Sequence, residues 1–466
     1  MQQRNQSLDA LRGFAILAMV LSSSIAFGIL PAWMYHAQEP PPSHAFIPTH
    51  PGISWVDLVF PFFLFSMGAA IPLAFHKKIK NGISFSTVFL IAAKRFVLLT
   101  FFALFTLHAR AGIMSSSPQV FHYLLSMAAF VLIFFQFCNP FGPAYKKTGI
   151  VLQVLAFLLA IIMMYVLPYK DGNGFSLYKS DIIIIVLANM AFFGTLAWWF
   201  TRKNLWARLL ILPFVMAVFL SGKEVGTWTE ILFNWSPVPW MYKFYYLKYL
   251  FIITPGTLAG EWMLEDGENS GPREDMNTKI HSWWIPILCL GLVILNVVCL
   301  FYRYLLLDLF CSIAIIIALH FLLKAKDVKD MKMIKHFFIA GAYLLLLGLF
   351  FEGFEGGVKK DPSTYSYYFI TAGLAFFMFL IFNGLQVAKS MKHVIDFLAM
   401  NGRNPMVAYV TGNLLLIPLL HLSGTMPAFM AMDHNVITGF IKGCLFTGIV
   451  SMVTVFTVKK KWFWKT

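Results

Sequence analysis

Charge is what this sequence has least of. Only 12% of its 466 residues are Asp, Glu, Lys or Arg, against about 25% in a typical soluble domain. So little charge cannot cover a water-facing surface, which excludes an ordinary soluble fold. Acidic residues are the scarcer kind, 21 against 36 Lys and Arg, for a formal charge of +15. That excess does not point to nucleic acid, because the basic residues sit in small groups between apolar segments, the pattern of membrane topology. The expected surroundings are a lipid bilayer, with no nucleic-acid partner. Cysteines are few and odd in number: Cys138, Cys289, Cys299, Cys311 and Cys444. All lie in or beside apolar segments with neither disulfide nor zinc spacing, so no metal site is expected. The polar opening "MQQRNQSLDALRG" runs straight into an apolar stretch without a small-residue cleavage site. The first apolar segment therefore reads as a retained helix. The alternation of a membrane β-barrel is also missing.

What is present is long apolar sequence: 59% of the residues are hydrophobic, and the mean hydropathy is +0.73. The runs fall near 9–30, 54–76, 90–109, 119–138, 148–168, 181–200, 206–221, 243–263, 283–302, 304–323, 335–352, 366–387, 405–421 and 436–457. A ~30 Å hydrocarbon core takes roughly 20 helical residues to cross. The expected fold is all-α, a polytopic membrane bundle of about fourteen transmembrane helices forming one domain over residues 1–466. Only "FYRY" (Phe301 to Tyr304) parts the ninth run from the tenth, so one kinked pair is the alternative there.

Basic loops give the expected orientation. "HKKIKNG", "TRKNLWAR", "KAKDVKDMKMIK" and the tail "VKKKWFWK" alternate with loops holding only scattered cations, such as Arg110, Lys170, Lys223 and Lys359. Both termini are expected in the cytoplasm. The acidic stretch "EDGENSGPREDMN" then reads as a solvated inner linker. The loop after the first helix falls on the outer side, and no Lys or Arg occurs from Gly13 to His76, as a translocated hairpin requires. Topology explains the missing cations but not the three histidines of that loop, His36, His44 and His50.

Histidine titrates near neutral pH, which suits proton transfer, and it can carry an acyl group transiently. A solvated or hydrogen-bonding role is the plain alternative for each of the three. Zinc fits poorly, since spacings of eight and six do not share a helical face. Asp57 in "WVDLVFPFFLF" is either a carboxylate that orients an imidazole or a residue favoured by the helix dipole. Pro61 is expected to kink its helix. Asp9 and Arg12 in "SLDALRG" share a face, as an interface pair or as a hold for an anionic ligand. In "NGRNPMVAYV", Pro405 suits a first helical turn, Asn404 is a candidate cap, and Arg403 beside it is a candidate phosphate contact. The aromatic outer loops read as interface anchors, with stacking on sugar faces as the alternative.

"SLDALRGFAILAMVL" followed by "GISWVDLVFPFFLFSMGAAIPLAF" resembles the lysosomal heparan-alpha-glucosaminide N-acetyltransferase family and its bacterial relatives. "LKYLFIITPGTLAGEWM" and "NGRNPMVAYV" look similar too. The likeness is strong over roughly the first 80 residues and patchy beyond. "LDALRG" alone is shared by several families of membrane acyltransferases. The resemblance implies an acyltransferase that takes acetyl-CoA from the cytosol and acetylates an amino-sugar or other glycan acceptor across the membrane, N-acetylation ahead of O-acetylation. It puts the catalytic histidine in the first outer loop, where "WMYHAQ" makes His36 the first candidate. His50, His44 and Asp57 follow. A family asparagine late in the first helix corresponds here to the "LSSS" stretch, at Ser23.

On this reading coenzyme A phosphates lie near Asp9, Arg12, Arg403 and Asn404. The location is a bacterial inner membrane or its equivalent, and a homodimer stands among the expected assemblies. The rival readings are a secondary transporter of a glycan or amphiphile, with helices broken at Pro61, Pro255 and Pro405, and a non-catalytic partner in envelope glycan assembly.

Overall fold

The computed structural model describes residues 5–141, 145–170, 172–269, 283–324 and 331–466. Among the described residues there is no β-strand, and twelve helices are long and apolar enough to cross a membrane. The protein is a multi-pass helical membrane protein. Two of the fourteen apolar runs fall outside the twelve for visible reasons. Residues Leu205–Ser221 form a shorter apolar helix. The run at 243–263 divides into a 3₁₀ turn, Phe244–Tyr249, and a helix, Leu250–Asn269, whose far end carries Glu261, Glu265 and Asp266. The expected acidic linker thus begins as helix, and its part from 270 onward lies outside the described residues. The basic segment 325–330 also lies outside them. The "FYRY" junction is a true break. Arg303 takes a left-handed conformation (φ 65°) between the helices Trp284–Tyr302 and Leu305–Lys324, as a residue just past a helix end often does.

The helices gather into two compact units. One holds Met1–Asn81, Phe251–Arg403 and Asn435–Gly443; the other holds Gly82–Leu250, Asn404–His434 and Cys444–Thr466. The first unit is built around the helix Tyr365–Val387, buried at every position from Tyr365 to Phe382. Beside it stand α1 (Gln6–Ser24) and α2 (Trp55–Lys80). Asn5 starts α1 by accepting the Leu8 N–H at 3.0 Å. Gly13 then lets α1 meet the helix Lys392–Arg403 backbone to backbone. A Cβ on Gly13 would lie 1.8 Å from the Leu398 carbonyl oxygen, and one on Gly402 1.9 Å from that of Asp9. Small residues are the usual means of such an approach in membranes.

Helix α2 runs unbroken through Pro61 and Pro72. It begins with a capping box, in which the Ser54 side chain accepts from Val56 N–H while Asp57 accepts from Ser54 N–H. Such a pair satisfies two amides that the first turn would leave orphaned. The loop before it is packed rather than loose. Ile25, Ala26, Leu30, Met34 and Tyr35 form a small apolar cluster. The Tyr35 hydroxyl ties it together, donating to Ala26 O at 2.7 Å and accepting from Leu30 N–H at 2.9 Å.

A second loop closes on this one. Gly52 N–H donates to Val358 O at 2.8 Å, and Asp361 N–H donates to the Gln38 side chain at 2.8 Å. Gln38 donates in return to Asp361 O. Glu352, paired with Arg303, accepts from Val358 N–H at 2.6 Å. Residues 358–361 are thereby fixed against the loop that carries His36.

Candidate active site

His36 follows directly on the Tyr35 anchor, and Asp57 stands on the first turn of α2. The structure brings them together, with His36 Nδ1 2.7 Å from Asp57 Oδ1. The other carboxylate oxygen, Oδ2, accepts from Ser54 N–H at 2.9 Å and Ala37 N–H at 3.2 Å. The Tyr367 hydroxyl donates to the Asp57 main-chain carbonyl at 2.8 Å. Asp57 is only 2% exposed, whereas the His36 side chain is 32% exposed. An ionised carboxylate only accepts hydrogen bonds. Nδ1 of His36 is therefore the protonated nitrogen of the neutral ring, and the lone pair of Nε2 is left for another partner.

Lys360 completes the cluster. Its Nζ lies 3.1 Å from Nδ1 and 3.2 Å from Nε2 of His36, and 3.9 Å from Asp57 Oδ1. In the ring plane, near-equal distances to the two nitrogens would drive Nζ into Cε1. The ammonium therefore stands over a face of the imidazole, in the manner of a cation over a π system. The Lys360 side chain is 31% exposed, and the partial desolvation of its ammonium pushes it below the ordinary lysine value, against the opposing pull of Asp57, Glu39 and Asp361. Sequence reading passed over this residue. The available signal was its place in "GGVKKDP", in a loop that otherwise keeps few cations.

The other two histidines have different settings. His44 is packed against Phe27 and Tyr35, ring centroids 3.9 and 4.5 Å away, and neither of its ring nitrogens has a hydrogen-bond partner among the described residues. It serves as a flat apolar filler with φ 50°. His50 is exposed. Ser23, at the position of the family asparagine, turns its hydroxyl to Val20 O at 2.9 Å.

The residues expected near coenzyme A are engaged within the protein. Asp9, 3% exposed, has Arg12 Nη1 at 3.4 Å and Arg403 Nε at 3.6 Å. Arg12 also donates to Gly402 O at 3.4 Å and Ser66 O at 3.2 Å. Two guanidiniums share this one carboxylate. Arg403 keeps 35% of its side chain exposed against 14% for Arg12, so it is the better placed of the two to meet a phosphate. Asn404 departs from expectation. Pro405 does open the helix, but the Asn404 side chain makes no cap. It donates to Thr457 Oγ1 and Trp462 O, both at 2.9 Å, and accepts from Trp464 N–H at 3.1 Å. Its amide pins the C-terminal tail and is not available to a ligand.

The second unit has a polar group of its own. Asp181 accepts from Arg110 at 2.9 Å and from the Tyr409 hydroxyl at 2.8 Å. A cleft of about 340 Å³ lies beside Arg110, lined also by Tyr123, Asn413 and His421, with the Tyr123 and His421 rings stacked 4.3 Å apart.

Fold and cluster together define a multi-pass helical membrane protein with a histidine–carboxylate pair formed between a loop and the first turn of α2. Residues 4–263, more than half of the chain, match the family described as Domain of unknown function (DUF5009), and the chain belongs to that family. The matched span includes His36 and Asp57 and ends before Lys360. A comparison with curated proteins finds no match.

Proposed function

We propose that the protein is a membrane acyltransferase that moves an acetyl group from cytosolic acetyl-CoA to an amino sugar or other glycan acceptor on the far side of the membrane. The observation that carries this reading is the His36–Asp57 pair, with Nδ1 held at 2.7 Å and Nε2 on the side of the ring away from the carboxylate. Asp57 fixes the tautomer and the ring direction. Nε2 then takes the proton from the acceptor amine or hydroxyl as the acyl bond forms, or carries the acetyl group in between. On this reading both termini face the cytoplasm and the protein sits in a bacterial inner membrane. Donor phosphates meet Arg403, with Arg12 beside it, while Asp9 holds both guanidiniums in place.

The test is vectorial. In sealed inside-out vesicles, acetyl-CoA added outside should acetylate glucosamine trapped inside, and thiol should appear outside in step. Ser43→Cys should react with an impermeant maleimide only from the lumen of those vesicles. Labelling of Ser43→Cys only from the outside would place the histidine loop on the donor side and end the proposal. Transport of intact glucosamine without thiol release would favour the transporter reading.

A further inference from the structure

We propose that Lys360 is itself an acyl-acceptor site, the intramolecular destination of an acetyl group that reaches His36 when no external acceptor is present. This rests on the acetyltransfer reading and adds a modification site to it. The geometry is the argument. An acyl group on Nε2 of His36 lies in the plane of the imidazole, and a nucleophile must approach its carbonyl carbon from above that plane. Lys360 Nζ already stands over the ring face, 3.2 Å from Nε2, so a carbonyl carbon bonded to Nε2 lies about 4 Å from it, a small side-chain shift short of the ~3–3.5 Å of a near-attack arrangement. Its amine is held there by the fixed segment 358–361, so little motion is needed. Partial desolvation favours the neutral, nucleophilic form.

The step balances without an added reagent. Acetyl-CoA acylates Nε2, and coenzyme A leaves as the thiol with the proton that His36 gives up. Lys360, having lost its ammonium proton to water, attacks the carbonyl carbon as the neutral amine. The Nζ–C bond forms, and the Nε2–C bond breaks with its electron pair remaining on the imidazole. The proton released from Nζ returns to the ring. The products are acetylated Lys360 and neutral His36. The amide no longer carries a charge, so Asp57, Glu39 and Asp361 lose their shared cation, and the protein records that donor was present without acceptor.

Lys359, its neighbour in sequence, is the internal control. The full-length protein in lipid nanodiscs is incubated with acetyl-CoA alone, and both lysines are read in chymotryptic peptides by mass spectrometry. The expected result is acetyl on Lys360 with Lys359 unmodified, and loss of the mark in both Lys360→Arg and His36→Ala. Acetyl on Lys359 and Lys360 alike under acetyl-CoA, or an undiminished mark on Lys360 in His36→Ala, would overturn the inference. Thiol release with glucosamine as the probe acceptor, while Lys360 stays unmodified under acetyl-CoA alone, would overturn the inference and leave the acetyltransfer reading intact. Neither thiol release nor acetyl-CoA labelling would remove the acetyltransfer reading, and the Lys360 step with it.

Discussion

Two carboxylates in the first unit sit at the starts of successive helices, Asp9 on α1 and Asp57 on α2, and they are used differently. Asp9 lies at a helix crossing so tight that a single Cβ would collide with the backbone. Two arginines stand against it, and arginine cannot give up a proton in a protein. That end is a static clamp. Asp57 is equally buried, but its partner is a histidine one-third exposed, and a lysine stands against the ring. Both neighbours can change protonation state. The difference is one of partner chemistry: similar burial and charge make a joint at one helix start and a group able to move protons at the other.

The comparison breaks most visibly if Asp57 proves to be only a capping residue. Asp57→Asn keeps the side-chain shape but can offer an N–H to Nδ1, which favours the wrong tautomer. Acetyl transfer should fall about 10²–10⁴-fold, the usual contribution of a positioned base, with the melting temperature changed far less than by Asp57→Ala. A rate close to that of the unaltered protein would reduce Asp57 to its cap. Next in size is the clamp. Gly402→Ala should destabilise the protein by at least about 1–3 kcal/mol, the cost of overpacking, read as a lower melting temperature in detergent. Gly291→Ala, inside a helix and with nothing within 4 Å of the added Cβ, gives the contrast of a glycine with no close neighbour and should leave the melting temperature unlowered. The outcome that breaks the comparison is an unshifted Gly402→Ala.

Smaller effects sharpen it. If Arg403 meets a donor phosphate, Arg403→Gln should weaken acetyl-CoA binding by roughly 1–3 kcal/mol, and Arg12→Gln should act mainly on stability. Equal dissociation constants for the unaltered protein and the folded Arg12→Gln/Arg403→Gln double variant would leave the clamp purely structural. The smallest effect concerns pH. Lys360 is depressed in the folded protein, so between that value and the ordinary lysine value the folded protein binds fewer protons than the unfolded chain. Stability contributed by this group therefore rises with pH through that window, is lost as pH falls back through it, and changes no further below it. Lys360→Met should flatten the rise of melting temperature on the alkaline side, and an unchanged slope would show that Lys360 is not buried in this way.

Much of this was legible in the sequence because it is local. Apolar runs marked the helices, and the gap in Lys and Arg from Gly13 to His76 marked the first hairpin. "SWVD" carried the capping box that puts Asp57 on the first turn. A histidine near that carboxylate was a reasonable expectation, but the choice among His36, His44 and His50 depends on how the loop folds over Tyr35. Lys360 was hidden because it lies 324 residues from His36 and arrives through backbone pairing of two loops. Asn404 was misread for the same reason. Its position before Pro405 is a cap by local rules, yet Thr457, Trp462 and Trp464 claim its amide. Local pattern places backbone; long-range packing decides where a polar side chain is committed.

The central claim is that one histidine of the three performs acetyl transfer because Asp57 holds it. The most direct measurement is the initial rate of thiol release from acetyl-CoA with glucosamine, for His36→Ala, His44→Ala and His50→Ala side by side in liposomes. The account predicts that His36→Ala falls about 10²–10⁴-fold with acetyl-CoA binding retained, while His50→Ala stays within a few-fold of the unaltered protein and His44→Ala loses mainly stability. A fully active His36→Ala would contradict it.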